Sequence, residues 1–127
     1  MNERVIKKIL LSWEKKLIEL CNICSKEGKI IDNCENGCRE KYNMYIKYAF
    51  AGIPSEFWNL RLKDFRGKRE ILNTIKNYIK NIEENISKGK GFIFIGPKDS
   101  GKNFIANYIL KKVINKGYTA VNRSMFE

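Results

Sequence analysis

Gly91-Phe92-Ile93-Phe94-Ile95 runs directly into Gly96-Pro97-Lys98-Asp99-Ser100-Gly101-Lys102-Asn103, and the reading of this stretch decides the fold class. A short, unbroken apolar run is the pattern of a buried parallel strand. Beyond the loop, Phe104, Ile105, Tyr108, Ile109, Leu110, Val113 and Ile114 recur at helical spacing. Strand, glycine-bounded loop and helix, in that order, match a phosphate loop. The chemistry explains the spacing: successive backbone N–H groups wrap a phosphate at the helix N-terminus, and Lys102 neutralises its outer oxygens. The competing reading is a plain turn between strand and helix. Asn103 occupies the position where a Ser or Thr hydroxyl normally meets Mg²⁺. ATP binding through Gly96–Asn103 is therefore better founded than Mg²⁺-dependent hydrolysis.

Hydrolysis also needs a downstream carboxylate pair on a second strand. Only 25 residues follow Lys102, with one further strand-like run from Tyr118 to Val121 and a single acid, Glu127. No catalytic residue is assigned, and hydrolysis by this chain alone is not expected. The expected fold class is α/β, an N-terminal helix and a small loop-rich module followed by a partial P-loop sheet-and-helix domain.

Upstream of the loop, Ile71, Leu72, Ile75, Tyr78, Ile79, Ile82 and Ile86 predict one amphipathic helix over 70–87, ended by Lys88-Gly89-Lys90-Gly91. Tyr42, Tyr45, Ile46, Ala49 and Phe50 predict another over 39–50, stopped by Gly52 and Pro54. Its aromatics alternate with Lys41 and Lys47, a pattern of core packing or of base stacking. Ile6, Ile9, Leu10, Trp13, Leu17 and Leu20 predict a helix over 5–20 whose apolar stripe packs on its own domain or docks on another protein.

Between these two helices the periodicity disappears, and all four cysteines crowd into Cys21-x2-Cys24 and Cys34-x3-Cys38. Two short-spaced pairs can supply four thiolates to a tetrahedral Zn²⁺, and the chain has no histidine to replace one. Buried free thiols and a redox-active pair are the other readings. Four protein ligands would close the coordination shell, which suits a structural metal.

The chain has 127 residues with 43% hydrophobic and 31% charged side chains, a composition that excludes collagenous and wholly disordered classes. No apolar run reaches membrane-spanning length, and charges interrupt the first 20 residues, so neither a membrane partner nor a secretory leader is expected and the compartment is read as cytoplasmic. The net charge of +11 points to a polyanion such as nucleic acid. Yet 19 Lys, 18 Ile and 14 Asn are also what AT-rich codon usage writes. Position adds information: residues 51–127 carry 15 basic and 7 acidic side chains, against 10 and 7 in residues 1–50.

The order of these parts resembles the N-terminal half of the DnaC/IstB-type AAA+ ATPases, in the helicase-loader branch. The matching residues are the cysteine module, Ala51-Gly52-Ile53-Pro54-x2-Phe57, Leu60-x-Leu62-x-Asp64-Phe65, a long helix, and Gly96 to Lys102. The resemblance runs from about Cys21 to Glu127, so that after the helix, whose segment is taken as 1–20, it implies a zinc module and helix over 21–50 and the incomplete front of an AAA+ domain over 51–127. It further implies ATP-dependent work on single-stranded DNA with a replicative helicase as partner, Leu62 and Phe65 near the adenine, and homo-oligomers through the AAA+ part. A transposition-helper ATPase is the branch alternative. The other class of reading is a non-catalytic zinc-containing module for DNA or protein interaction, with a vestigial loop.

Overall fold

A computed structural model of the chain describes residues 3–97 and 101–123. Six helices follow in order: α1 (Glu3–Leu20), α2 (Cys24–Glu27), α3 (Cys38–Phe50), α4 (Arg69–Lys80), α5 (Ile82–Ser87) and α6 (Lys102–Asn115), with short 3₁₀ turns at Ser55–Phe57 and Leu62–Asp64. The chain divides into two compact units, with the boundary between Trp58 and Asn59.

In the first unit, α1 and α3 pack as a pair. Ile6 and Leu10 of α1 and Tyr45, Tyr48 and Ala49 of α3 are buried, as their helical spacing requires. The pair is locked by an aromatic cluster. Trp13 meets Tyr45 edge-on at 5.0 Å between ring centroids, and Trp58 stacks on Tyr45 at 5.4 Å. Trp58 is brought there by the turn that ends α3, where Gly52 takes φ +82°. The Gly52 N–H donates to Ala49 O and the Ile53 N–H to Tyr48 O, a Schellman closure that only a residue free of Cβ strain adopts cheaply. Ile53, 1% exposed, then accepts a 2.8 Å hydrogen bond on its carbonyl from Trp58 Nε1.

In the second unit, α4 packs on both α5 and α6. Ile75, Ile82, Ile105 and Ile114 form its buried apolar positions. Lys111 is buried among them, and its ammonium donates to Leu60 O at 2.9 Å. Burial, assisted by the charge of Lys112, lowers its pKa from 10.5 to about 8. The folded state thus releases this proton earlier than the unfolded chain does. Stability of this unit is expected to rise as pH climbs from about 8 towards 10.5, by at most about 3 kcal/mol. Denaturant titrations across that window check it, with Lys111→Met as the variant in which the rise disappears.

The α/β expectation is overturned: among the described residues there is no strand and no sheet, and hence no sheet-and-helix P-loop domain. The reason is the lack of a ladder. Phe92–Ile95 has strand chemistry, but no other segment among the described residues offers it backbone partners, and Tyr118–Val121 does not pair with it. Phe92 packs on Tyr78 at 4.7 Å and stacks on Phe94 at 5.6 Å, while Ile93 and Ile95 are 89% and 94% exposed. A run read as buried on both faces is therefore covered on one side only. The single helix expected over 70–87 is also divided, because Asn81 leaves helical geometry at φ −111°, ψ 33°. Asn85 then turns its side-chain amide back to Tyr78 O at 3.0 Å. No helix among the described residues is long and apolar enough to cross a membrane.

Candidate metal centre and phosphate loop

The segment between α1 and α3 has few apolar side chains and folds around its sulfur atoms. The N-terminus of α2 carries Cys24, and the N-terminus of α3 carries Cys38, entered through Gly37 at φ +70°. Cys21 follows the end of α1, and Cys34 sits in the turn closed by the Gly37 N–H on Cys34 O. All four thiols are free and buried, and their Sγ atoms lie within 4.8 Å of one another. Cys21 and Cys34 are 3.5 Å apart, Cys34 and Cys38 3.8 Å. Leu17, Ile18, Ile23, Ile31 and Tyr42 cover the cluster from outside. The sequence-derived set Cys21, Cys24, Cys34 and Cys38 is thus brought together as one site that can hold a metal ion.

Backbone and side-chain donors point at the sulfurs, as a thiolate site requires. The Cys24 N–H donates to Cys21 Sγ at 3.4 Å, and Asn36 Nδ2 donates to the same atom at 3.2 Å. These two donors, the backbone one first, pull the Cys21 thiol down to about 6. The Ile31 N–H donates to Cys24 Sγ at 3.5 Å. That contact lowers the Cys24 pKa, but burial and the neighbouring thiols outweigh it and the net shift is upward. Burial, together with the other three cysteines, pushes Cys38 up to about 12. Four thiols in one small volume cannot all ionise without a cation among them, so the opposed shifts describe a set that shares its charge.

Two supporting residues are not evident from the cysteine spacing. Asn36 reads as a turn former beside Gly37, yet its amide serves Cys21 Sγ and also donates to Asn22 Oδ1 at 3.1 Å. Arg39 donates from Nη2 to Ile30 O at 3.2 Å and from Nε to Asp32 Oδ1 at 3.0 Å, tying the far side of the cysteine loop to α3. The sequence signal was available in the acid–base pair Asp32 and Arg39, but it does not distinguish a loop clasp from a solvated charge.

The second candidate site heads α6. Of its expected residues, Lys98, Asp99 and Ser100 lie outside the described residues. Gly101 is the N-cap with φ +88°, and no side chain caps the helix there. A Cβ on Gly101 would also lie 2.8 Å from the Phe65 ring, so both backbone conformation and space require glycine. Lys102 reaches back across the loop, its ammonium donating to Gly96 O at 2.5 Å. Phe65 packs on Phe104 at 5.5 Å. A cleft of about 700 Å³ opens beside the loop, lined by Phe65, Lys68, Ile71, Ile75, Phe92, Phe94, Gly96, Pro97, Gly101, Lys102 and Ile105, among others. Gly96, Pro97, Gly101, Lys102 and Phe65 thus share one cleft. Leu62, half-buried in its 3₁₀ turn, is not part of that lining, and Asn103 is exposed on the first turn of α6 with its carbonyl accepting from Asn107 Nδ2 at 2.9 Å.

No protein-family model, no curated protein and no solved structure matches this chain.

Proposed function

We propose that the chain is a nucleotide-binding accessory protein of DNA replication in the cytoplasm, of the DnaC/IstB helicase-loader kind, acting with a replicative helicase on single-stranded DNA. In this reading its first unit is held by structural zinc, and the Gly96–Lys102 loop takes the phosphates of ATP. The observation that carries the reading is the hydrogen bond of Lys102 to Gly96 O beside the N-terminus of α6, which among the described residues has no side-chain cap. The first N–H groups of a helix have no intrahelical acceptor and favour an anion, and here the first residue of that helix is itself a lysine. The proposal is binding, with no hydrolytic step.

For the metal, thiolate sulfurs about 2.3 Å from a tetrahedral Zn²⁺ would stand roughly 3.8 Å from one another. Two of the sulfur separations, 3.5 and 3.8 Å, match that spacing, and the whole set lies within 4.8 Å. An all-sulfur set of four is a zinc-type donor set, and N–H donors to the sulfurs are what such sites carry.

Titration of the full chain with a fluorescent ATP analogue tests the loop. Lys102→Ala is expected to weaken binding at least tenfold, because it removes a charge-assisted hydrogen bond to phosphate. Equal affinity of wild type and variant removes nucleotide binding. The second reading, a non-catalytic zinc-containing interaction module with a vestigial loop, then stands in its place. That reading draws on the unpaired Phe92–Ile95 run, since no strand among the described residues braces the loop from behind.

A further inference from the structure

The exposed side of α4 carries a row of cations that neither the metal centre nor the loop uses. Residues 61–80 hold seven basic and two acidic side chains. Ile75, 1% exposed, marks the buried face of α4. Arg69, Asn73, Lys76 and Lys80 follow one another at four-, three- and four-residue steps, which places them on a single stripe turned well away from Ile75. All four are exposed, and so are Arg66 and Lys68 immediately before the helix. Among the described residues the ion pairs are Glu3 with Lys7, Asp32 with Arg39, Asp64 with Arg61 and Glu84 with Lys88, so none involves Arg69, Lys76 or Lys80. The one acid of α4, Glu70, lies about 100° around the helix from Arg69.

Codon bias toward lysine scatters charge and does not by itself align it. At 1.5 Å per residue the stripe is about 16 Å long, a distance over which duplex DNA presents roughly ten phosphates. An anionic membrane is the other polyanion, but an interfacial helix has to offer its apolar face to lipid, and here that face packs on α5 and α6, with Ile75 buried and Leu72, Tyr78 and Ile79 half-buried, which leaves Ile71, 41% exposed, as its one exposed apolar side chain. We infer that the Arg69–Lys76–Lys80 stripe of α4, with Asn73 between its cations, is a binding surface for the phosphodiester backbone of nucleic acid. It deepens the proposed function by assigning the DNA contact to a named helix face, away from the nucleotide loop.

The experiment is fluorescence anisotropy of the full chain with a 20-nucleotide single strand and a 20-base-pair duplex, across salt from 0.05 to 0.5 M. The combined substitution Arg69→Gln, Lys76→Gln and Lys80→Gln keeps good helix formers at each position. Because three cations no longer neutralise phosphates, the slope of log affinity against log salt is expected to become shallower by about 2 on the single strand and nearer 3 on the duplex. Affinity at 0.1 M salt should fall by roughly a hundredfold. Arg4→Gln, Lys8→Gln and Lys15→Gln together remove the same charge from exposed positions of the first unit and should leave the slope unchanged. An unchanged slope in the stripe variant, an equal loss in the control, or no binding by wild type overturns the assignment. So does dependence on these residues for vesicles containing phosphatidylserine but not for DNA. Lys102→Ala leaves the stripe intact, so a failed nucleotide titration and a failed DNA titration are separate results.

Discussion

If the four cysteines hold the proposed zinc, its chelation is expected to unfold the cysteine segment and loosen the first unit. Amides between Cys21 and Cys38 should lose hydrogen-exchange protection, and far-UV circular dichroism should fall as α2 melts and the start of α3 frays. The magnitude follows from two numbers. A thiolate-bound structural zinc contributes roughly 10–16 kcal/mol of apparent binding energy at neutral pH, whereas whole domains are stable by only about 5–15 kcal/mol. The buried side chains of the segment are the four cysteines and Ile30, which is too little apolar surface to order an 18-residue loop. Cys24, 0% exposed, is the cysteine of the candidate site whose loss should cost most, and Cys24→Ser is expected to behave like the chelated protein. Elemental analysis should return one zinc per chain. Well under one, with protection of residues 21–38 retained, would show that the thiols pack without metal.

Trp58→Ala is expected to destabilise the first unit by about 3–5 kcal/mol, the range for deleting a large buried aromatic. Three losses coincide at this side chain. Its indole is 4% exposed, it stacks on Tyr45, and its Nε1 donates to Ile53 O. Removing it opens a cavity against Trp13, whose centroid is 5.2 Å away, and leaves the Ile53 carbonyl without its donor. Trp58→Phe refills most of the volume without restoring that donor, so it should recover the larger part of the loss. A denaturant midpoint for Trp58→Ala within error of wild type would mean that the cluster contributes packing without stability.

The candidate metal site was legible because its chemistry is written in spacing. Cys21, Cys24, Cys34 and Cys38 need no tertiary information beyond turns at Gly28 and Gly37, both of which take positive φ. The helices containing Leu10, Tyr45, Ile75 and Ile105 were legible for a similar reason, since three- and four-residue periodicity survives translation into structure with little ambiguity. Phe92–Ile95 was not. An apolar run states that a segment wants cover, but a strand also needs backbone partners, and those are specified elsewhere in a chain or nowhere in it. The division at Asn81 was hidden because Ile79, Ile82 and Ile86 keep their spacing across it, even though Asn is a weak helix former that competes for the backbone. Lys111 was hidden because periodicity counts apolar residues, while this lysine is buried with its ammonium donating to the Leu60 carbonyl, a partner that spacing does not announce.

Both tryptophans of the chain, Trp13 and Trp58, stand in the one aromatic cluster of the first unit, and the second unit holds none. The two units are therefore optically distinct. Excitation at the red edge of the protein band reports the environment around Tyr45 alone, whatever α4 to α6 are doing, and circular dichroism reports both. Unfolding followed by the two signals together resolves the units without labels. Coincident transitions mean that the chain melts as one body, and separated ones give each unit its own free energy.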